Sequence, residues 1–239
     1  MSVTQENKFA GEEPMGPEPA VADFLLACGV RNVTMARICV LEQLQHDLQE
    51  ANAHLNLTRL TTPADFWTKH IADSLAVGQC WPQLLTEGLR VADVGCGGGF
   101  PMLPLAWANP ELKLTGIECR MKKADFVREE SVRLGLANCD VVARQAREAA
   151  RLPQHAAQYD AVLLRAVGTP ENFVRECRLL LKPAAGARIV FYMTPQSIND
   201  CRPAAAREAA KYNFTLAESA PIELPLGAGL RQFLSVIRG

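Results

Sequence analysis

In VADVGCGGGFP, residues 91–101, an apolar run ends in an aspartate and opens onto four glycines, an aromatic residue and a proline. Glycines at a strand end let a ligand approach bare backbone, and the helix that follows offers free N–H groups. Two phosphate-binding patterns share this setting, and neither is present. A dinucleotide fingerprint G-x-G-x-x-G starting at Gly95 breaks at Phe100, and a P-loop would close on G-K-[ST] where Phe100 and Pro101 stand. What remains is D-x-G-x-G-x-G: Asp93, Gly95, Gly97 and Gly99, followed by Phe100. Glu118 closes the next strand-like run, KLTGIE, 25 residues after Asp93. A carboxylate there can accept hydrogen bonds from both hydroxyls of a ribose. The set suits a nucleoside without pyrophosphate. S-adenosylmethionine is such a ligand, since its amino-acid end needs backbone and Asp93-type contacts and its ribose needs the acid. The competing use of the glycines is a tight turn that only closes a sheet.

The elements that must position these residues follow from periodicity. From residue 89 short β-branched runs (LRVADVG, KLTGIE, DVVARQ, YDAVLLRAV, ARIVFYMT) alternate with helical stretches beginning near Pro101, Met121, Pro170 and Ser197. Such alternation predicts an α/β fold with a mostly parallel sheet covered by helices on both faces. NFTLAESAPIEL and RQFLSVIR, joined by a glycine-containing turn, predict a C-terminal antiparallel hairpin at the sheet edge. Before this region the apolar spacing is helical. Ile38, Leu41, Leu44, Leu48 and Leu55 share one face of a long helix capped by Thr34, and a second helix starts after Pro63, gathering Phe66, Trp67, His70, Ile71, Ser74 and Leu75. The expected organisation is a disordered tail over 1–20, a helical extension over 21–85 and an α/β domain over 86–239.

Composition narrows the class. The apolar fraction of 49% over 239 residues supports a large core, and 25 basic against 26 acidic residues exclude binding of nucleic acid by bulk positive charge. The first 20 residues, rich in Glu and Pro, fit neither a signal nor a transit peptide, and no stretch reaches the roughly 18 apolar residues of a membrane helix. A cytoplasmic protein is expected. Eight cysteines without C-x-x-C or nearby histidine pairs argue against zinc and against a disulfide scaffold, so reduced and mostly buried thiols are expected and no metal is assigned.

Three blocks together resemble one family. NLTRLTTPADFWTKHIADSL, VADVGCGGGFPMLPLAWANPEL and LLRAV are similar to the signatures of the bacterial 16S rRNA guanine-N7 methyltransferases, also called the glucose-inhibited division protein B family, over roughly residues 52–195. The resemblance implies a class I S-adenosylmethionine-dependent methyltransferase fold, Rossmann-like, with a helical N-terminal extension. It also implies methylation of the guanine at position 527 of 16S rRNA in the small ribosomal subunit. It places Gly95 and Phe100 at the methionine and adenosine sites, Ala146 and Arg147 beside the adenine, and Arg165 beside the cofactor and the substrate pocket. One departure stands out. The family usually has a glycine after the loop proline, and this chain has Met102.

The residues are compatible with that chemistry. Transfer from a sulfonium is an in-line displacement that depends on holding the acceptor at the right distance and angle. Guanine N7 carries a lone pair and no proton, so no general base is required. A pyrimidine C5 enzyme would need a cysteine nucleophile in a Pro-Cys or Thr-Cys setting, and exocyclic amine methylation goes with an [DNS]-P-P-[YFW] loop; neither Cys dipeptide occurs, nor any Pro-Pro. Arg165 ends YDAVLLR, where a fork of donors could meet guanine O6 or a phosphate, or where it could be a plain salt-bridge partner. His70 and Asp73 are i, i+3 neighbours, either a simple polar pair or, for His70, a substrate-facing group. Arg120, Lys122, Lys123 and Arg144 lie near the ends of the second and third strands and could meet RNA phosphates, or form a solvated face. A small-molecule or protein methyltransferase, and a non-catalytic nucleoside-binding regulator, remain open because a fold alone does not choose a substrate.

Overall fold

A computed structural model describes residues 16–239. Five strands, β1 (Arg90–Val94), β2 (Lys113–Ile117), β3 (Cys139–Val142), β4 (Ala161–Arg165) and β5 (Arg188–Met193), pair in parallel in the order β3-β2-β1-β4-β5. Beyond β5 come β8 (Leu230–Arg238) and β6 (Phe214–Glu218), both antiparallel, with the two-residue β7 (Ile222–Glu223) paired to the start of β8. The C-terminal hairpin therefore forms, but its last strand is inserted between β5 and β6 and the edge falls to β6. Strand order reverses direction between β1 and β4, which opens a crevice at their carboxyl ends.

Strand alternation sorts side chains onto two apolar layers. Val91, Ala161, Leu163, Val190, Tyr192 and Phe233 face one cluster; Ala92, Val94, Val162, Leu164, Ile189, Phe191 and Leu234 face the other. The second layer is covered by α7 (Ala146–Ala149), α8 (Pro170–Cys177) and α9 (Pro195–Ala210). The first is covered by α5 (Met102–Ala108) and α6 (Met121–Arg133), together with the helices that precede β1. Those are α1 (Pro19–Ala27), α2 (Met35–Leu55) and a composite helix running from α3 (Pro63–Asp65) through a π-helical stretch, Phe66–Ala72, into α4 (Asp73–Leu75). One continuous cluster thus contains Val21 and Leu25 of α1, Leu41 and Leu48 of α2, Ile71, and sheet residues as far as Phe233.

The helical region begins at Pro19, ahead of residue 21, and most of the acidic tail lies outside the described residues. Thr34 caps α2 by accepting the Arg37 N–H at 3.4 Å, and Ile38, Leu41, Leu44 and Leu48 are buried while Leu55 is half-buried. The helix after Pro63 is wider than a plain α-helix. Thr68 Oγ1 donates to the Ala64 carbonyl four residues back at 2.6 Å, competing for the acceptor that the regular ladder would use. Of the eight free cysteines four are buried, Cys28, Cys96, Cys177 and Cys201, so burial is less general than composition suggests; Cys39, Cys80 and Cys119 are exposed. Among the described residues no helix is long and apolar enough to cross a membrane.

Candidate active site

The crevice at the ends of β1, β2 and β4 is a cavity of about 950 Å³. Its floor is the loop after β1. Gly95 (φ +75°) and Gly99 (φ +92°) take left-handed backbone, and a Cβ on Gly95 would lie 2.4 Å from Val167 Cγ1 on the segment after β4. Gly99 serves a different contact: a Cβ there would meet the Leu103 side chain at 2.4 Å, so this glycine lets α5 pack against the loop and is not part of the cavity wall. Within the loop the Gly97 N–H is donated to Glu118 Oε2 at 3.1 Å, and Gly99 and Phe100 N–H both go to the Cys96 carbonyl. The N–H groups of Cys96 and Gly98 donate to no described residue. They are the backbone donors left for a ligand.

Glu118 stands at the end of β2, buried, with Oε1 accepting the Arg120 N–H at 2.9 Å. Of a carboxylate's roughly four lone-pair sites, the Gly97 and Arg120 N–H groups and the weak Cys119 thiol contact at 3.6 Å take three, which leaves one free on Oε2 and the thiol's on Oε1 readily displaced by a second ribose hydroxyl. Asp93 behaves differently. Its Oδ2 accepts the N–H of Met102, the first residue of α5, at 3.1 Å, and the side chain is completely buried. Its expected direct contact with the amino-acid end of a cofactor is not what the structure places on the wall; Val94 and Gly95 line it instead. Burial pushes the Asp93 carboxyl up to about 7, and Oδ1 has no hydrogen-bond partner. Met102, the departure noted above, fits because β2 offers Gly116 opposite it: a Cβ on Gly116 would lie 2.9 Å from both Met102 Sδ and Cys96 Sγ.

The opposite wall comes from the helices before β1. Leu57, Thr58, Arg59 and Leu60, in the loop after α2, line the cavity with His70. The His70 ring stacks on Phe100 at 4.4 Å between centroids, and its Nε2 faces Thr58 Oγ1 at 3.1 Å and the Leu60 carbonyl at 3.4 Å. Burial, reinforced by the nearby Arg165 charge, lowers its pKa to about 4, so the ring is neutral at physiological pH. His70 and Asp73 do not pair. Asp73, with a side chain 1% exposed, instead accepts Arg165 Nε at 2.7 Å on Oδ2 and is also held by Arg231 Nε and Nη2. Arg165 Nη2 goes to the Lys69 carbonyl.

The cavity brings together His70, Gly95, Gly97, Phe100, Glu118, Arg120, Lys123, Arg144, Ala146 and Arg165. It leaves out Asp93 and Gly99, as described, and two basic residues. Arg147 is exposed on α7 outside the lining, and Lys122 lines a separate, smaller cavity between α2 and α6 with Asp47, Glu50 and Arg133. Lys123 reaches across to the Asn56 carbonyl at 3.1 Å and so ties α6 to the loop after α2. Sequence reasoning missed Thr58, Leu60, Tyr192 and Arg231 on this wall. The first two lie inside NLTRLTTPADF and carried no chemical signature of their own; Arg231 was readable as same-face with Phe233 on a strand but had no visible partner.

Comparison with known proteins fits this geometry. The family described as rRNA small subunit methyltransferase G matches residues 37–216. Proteins named Ribosomal RNA small subunit methyltransferase G are 35% identical over 226 residues in Deinococcus deserti, covering 93% of this chain and 89% of that one, and 34% identical over 200 residues in Microcystis aeruginosa, covering 82% and 87%. The Trichormus variabilis protein of that name is 41% identical over 144 residues, and there the chain spans about three-fifths of its relative, 59% of each. In fold, the chain is similar to a SAM dependent methyltransferase from Aquifex aeolicus (TM-score 0.55, 16% identity, covering 77% of this chain and 97% of that one). It is equally similar to the O-methyltransferase from Bacillus cereus solved in complex with SAH (TM-score 0.55, 15% identity, 82% and 91%). A glycine floor, an acid at the end of β2 and an arginine at the end of β4, in a chain matched over three-quarters of its length, make this protein a member of the rRNA small subunit methyltransferase G family.

Proposed function

We propose that the protein is an S-adenosylmethionine-dependent methyltransferase that modifies guanine N7 of 16S rRNA, at position 527 by family resemblance, within the small ribosomal subunit. The observation that carries this reading is the cavity itself. Unspent Cys96 and Gly98 N–H groups, the Glu118 carboxylate and the Gly95 turn converge at the strand-order switch, next to a wall of arginines. When bound, S-adenosylmethionine supplies an electrophilic methyl group. The Glu118 oxygens hold the ribose hydroxyls, Ala146 borders the adenine, and the loop backbone with Gly95 and Gly97 holds the amino-acid end; Asp93 supports this end from below by fixing the start of α5. Phe100, stacked on the neutral His70, closes the cavity against water on the side of the helical extension.

No residue has to remove a proton, because N7 has none, and the neutral His70 suits a role in shape and not in base catalysis. Arg59, Arg120 and Arg144, exposed at the cavity rim, meet phosphates of the RNA strand, while the balanced net charge confines that attraction to this face. The test is methyl transfer from labelled S-adenosylmethionine to small ribosomal subunits that lack the mark, followed by chemical cleavage at 7-methylguanosine. One new cleavage in the 16S rRNA supports the reading. Cofactor binding without transfer to any ribosomal particle moves the assignment to a small-molecule methyltransferase or a nucleoside-binding regulator.

A further inference from the structure

Two guanidinium groups share one buried carboxylate at the substrate side of the cavity. Asp73 reaches this point from α4, Arg165 from the end of β4 and Arg231 from the start of β8, at sequence separations of 92 and 158 from Asp73. The sheet dictates the meeting. Arg165 lies on the same face as Ala161 and Leu163, Arg231 on the same face as Phe233, and Tyr192, in register with both Arg165 and Phe233, fills the space between them. Tyr192 Oη donates to the Ser74 carbonyl at 3.1 Å, which fixes the residue next to Asp73. Arg165 and Arg231 both line the cavity, with side chains 14% and 17% exposed.

Both arginines spend Nε and Nη2, but in different geometries. Arg165 gives Nε to Asp73 and Nη2 to the Lys69 carbonyl, so its two bonds fasten it to two separate groups. Arg231 gives Nε and Nη2 to the two oxygens of Asp73 alone, which leaves its end edge, Nη1 with the outer N–H of Nη2, as an intact fork. Charge points the same way. One carboxylate cannot neutralise two guanidiniums, His70 is neutral, and the cavity's other acids, Glu118 and Glu176, make no bond to either arginine. A half-buried fork with a surplus positive charge attracts an oxygen-rich ligand.

We infer that Arg231 is a substrate-positioning residue whose fork grips an oxygen acceptor of the nucleotide being methylated, guanine O6 or its phosphate, and that Asp73 is the positioning residue that sets the fork. The inference rests on the methyltransferase reading above. N7 itself is excluded as the partner: its lone pair must face the incoming methyl, and a donor placed on it would occupy the nucleophile. The fork looked for at Arg165 in the sequence is thus carried by Arg231, whose side edge closes on a single carboxylate, with Arg165 beside it on the same carboxylate.

The test uses the full chain with Arg231→Ala and Arg231→Lys, each of which leaves Asp73 paired to Arg165. S-adenosylmethionine affinity is measured by calorimetry, transfer on small subunits lacking the mark, and binding of a guanine-containing RNA hairpin in the presence of S-adenosylhomocysteine. Arg231→Ala is expected to keep cofactor affinity within about twofold and to lower kcat/KM for the particle roughly 10- to 100-fold, the range for losing a forked contact, with partial recovery in Arg231→Lys. A hairpin with 2-aminopurine in place of guanine separates the two acceptors. If O6 is gripped, the wild type prefers guanine and the alanine variant does not; if phosphate is gripped, the preference survives and the salt slope of binding falls by about one. Unchanged kcat/KM, or cofactor affinity lost in parallel, overturns the inference. Should the wild type transfer nothing, the methyltransferase reading fails, and hairpin binding still decides: a loss of about tenfold or more in Arg231→Ala upholds the fork. Equal binding, or none by either protein, overturns it.

Discussion

Replacing Gly95 or Gly97 by alanine separates backbone strain from steric conflict in the same loop. Both glycines sit in left-handed backbone, at φ +75° and +56°, where a Cβ costs about 1–2 kcal/mol. They differ in what the new methyl meets. At Gly97 the nearest atom is the Gly95 carbonyl oxygen at 3.7 Å, an ordinary contact, whereas at Gly95 it is Val167 Cγ1 at 2.4 Å. Carbon atoms prefer about 3.5–4.0 Å, so Val167 must retreat by more than about 1 Å, an overpacking that adds about 1–3 kcal/mol. Gly97→Ala is then expected to lose about 1–2 kcal/mol and Gly95→Ala about 2–5 kcal/mol in urea unfolding with an unchanged m-value. Val167 follows Arg165 on the cavity wall, so Gly95→Ala also weakens S-adenosylmethionine binding in calorimetry. Adding Val167→Ala removes the colliding methyl and should return the double variant to the level of Gly97→Ala. Equal losses at the two glycines, or no recovery in the double variant, would refute the steric part of the argument.

Gly116→Ala should cost about 1–3 kcal/mol, because its methyl would lie 2.9 Å from Met102 Sδ and Cys96 Sγ, and pairing it with Met102→Ala should recover part of that loss; additive losses would mean that Gly116 does not make room for Met102. His70 titrates near 4 in the folded chain against 6.5 unfolded, so the unfolded state binds more protons between those values and stability rises with pH across that window, by about 3 kcal/mol for this group. Asp93, raised from 3.8 to about 7, acts in the opposite sense over 3.8–7, where the folded state binds more protons. The readout for His70 is therefore the difference between the wild type and His70→Gln from pH 4 to 7: a constant offset would show that His70 is not held neutral. Arg165→Ala should retain most cofactor affinity and lose methyl transfer, since Asp73 keeps Arg231 as a partner; full activity on small subunits would remove Arg165 from the mechanism.

Local pattern carried the sheet well. β-branched runs, the proline-marked helix starts and the Thr34 cap are signals held within a few residues, and each strand formed where its run predicted it. The loop was legible for a related reason: a glycine at positive φ leaves the same mark wherever the chain folds. What stayed hidden depends on contacts between distant segments. Nothing near Asp73 announces that its partners are 92 and 158 residues away, and its neighbour His70 suggested a pair that helix geometry permits and the arginines override. The burial of Asp93 was hidden too: its carboxylate accepts the Met102 N–H nine residues on, a contact that no local pattern marks. Lys122 and Lys123 differ because neighbours on a helix point about 100° apart, one turned to a smaller cavity and the other to the loop after α2. The π-helical stretch had no periodic signature, since a single widened turn alters which residues coincide without changing their types.

The wall formed by residues 57–60 and His70 has a further consequence for how this chain can change over time. The helices before β1 are continuous with the core beneath the sheet and, with the loop after α2, supply one wall of the cavity. They cannot be exchanged for another recognition segment, as an appended domain could, without dismantling the cavity. A mutation in α2 that slackens the loop at Asn56 would loosen Lys123, Thr58 and the stacked His70–Phe100 pair together. Inheritance of target preference and of cofactor retention is thereby linked: variants selected for a different RNA would arrive with altered affinity for the methyl donor.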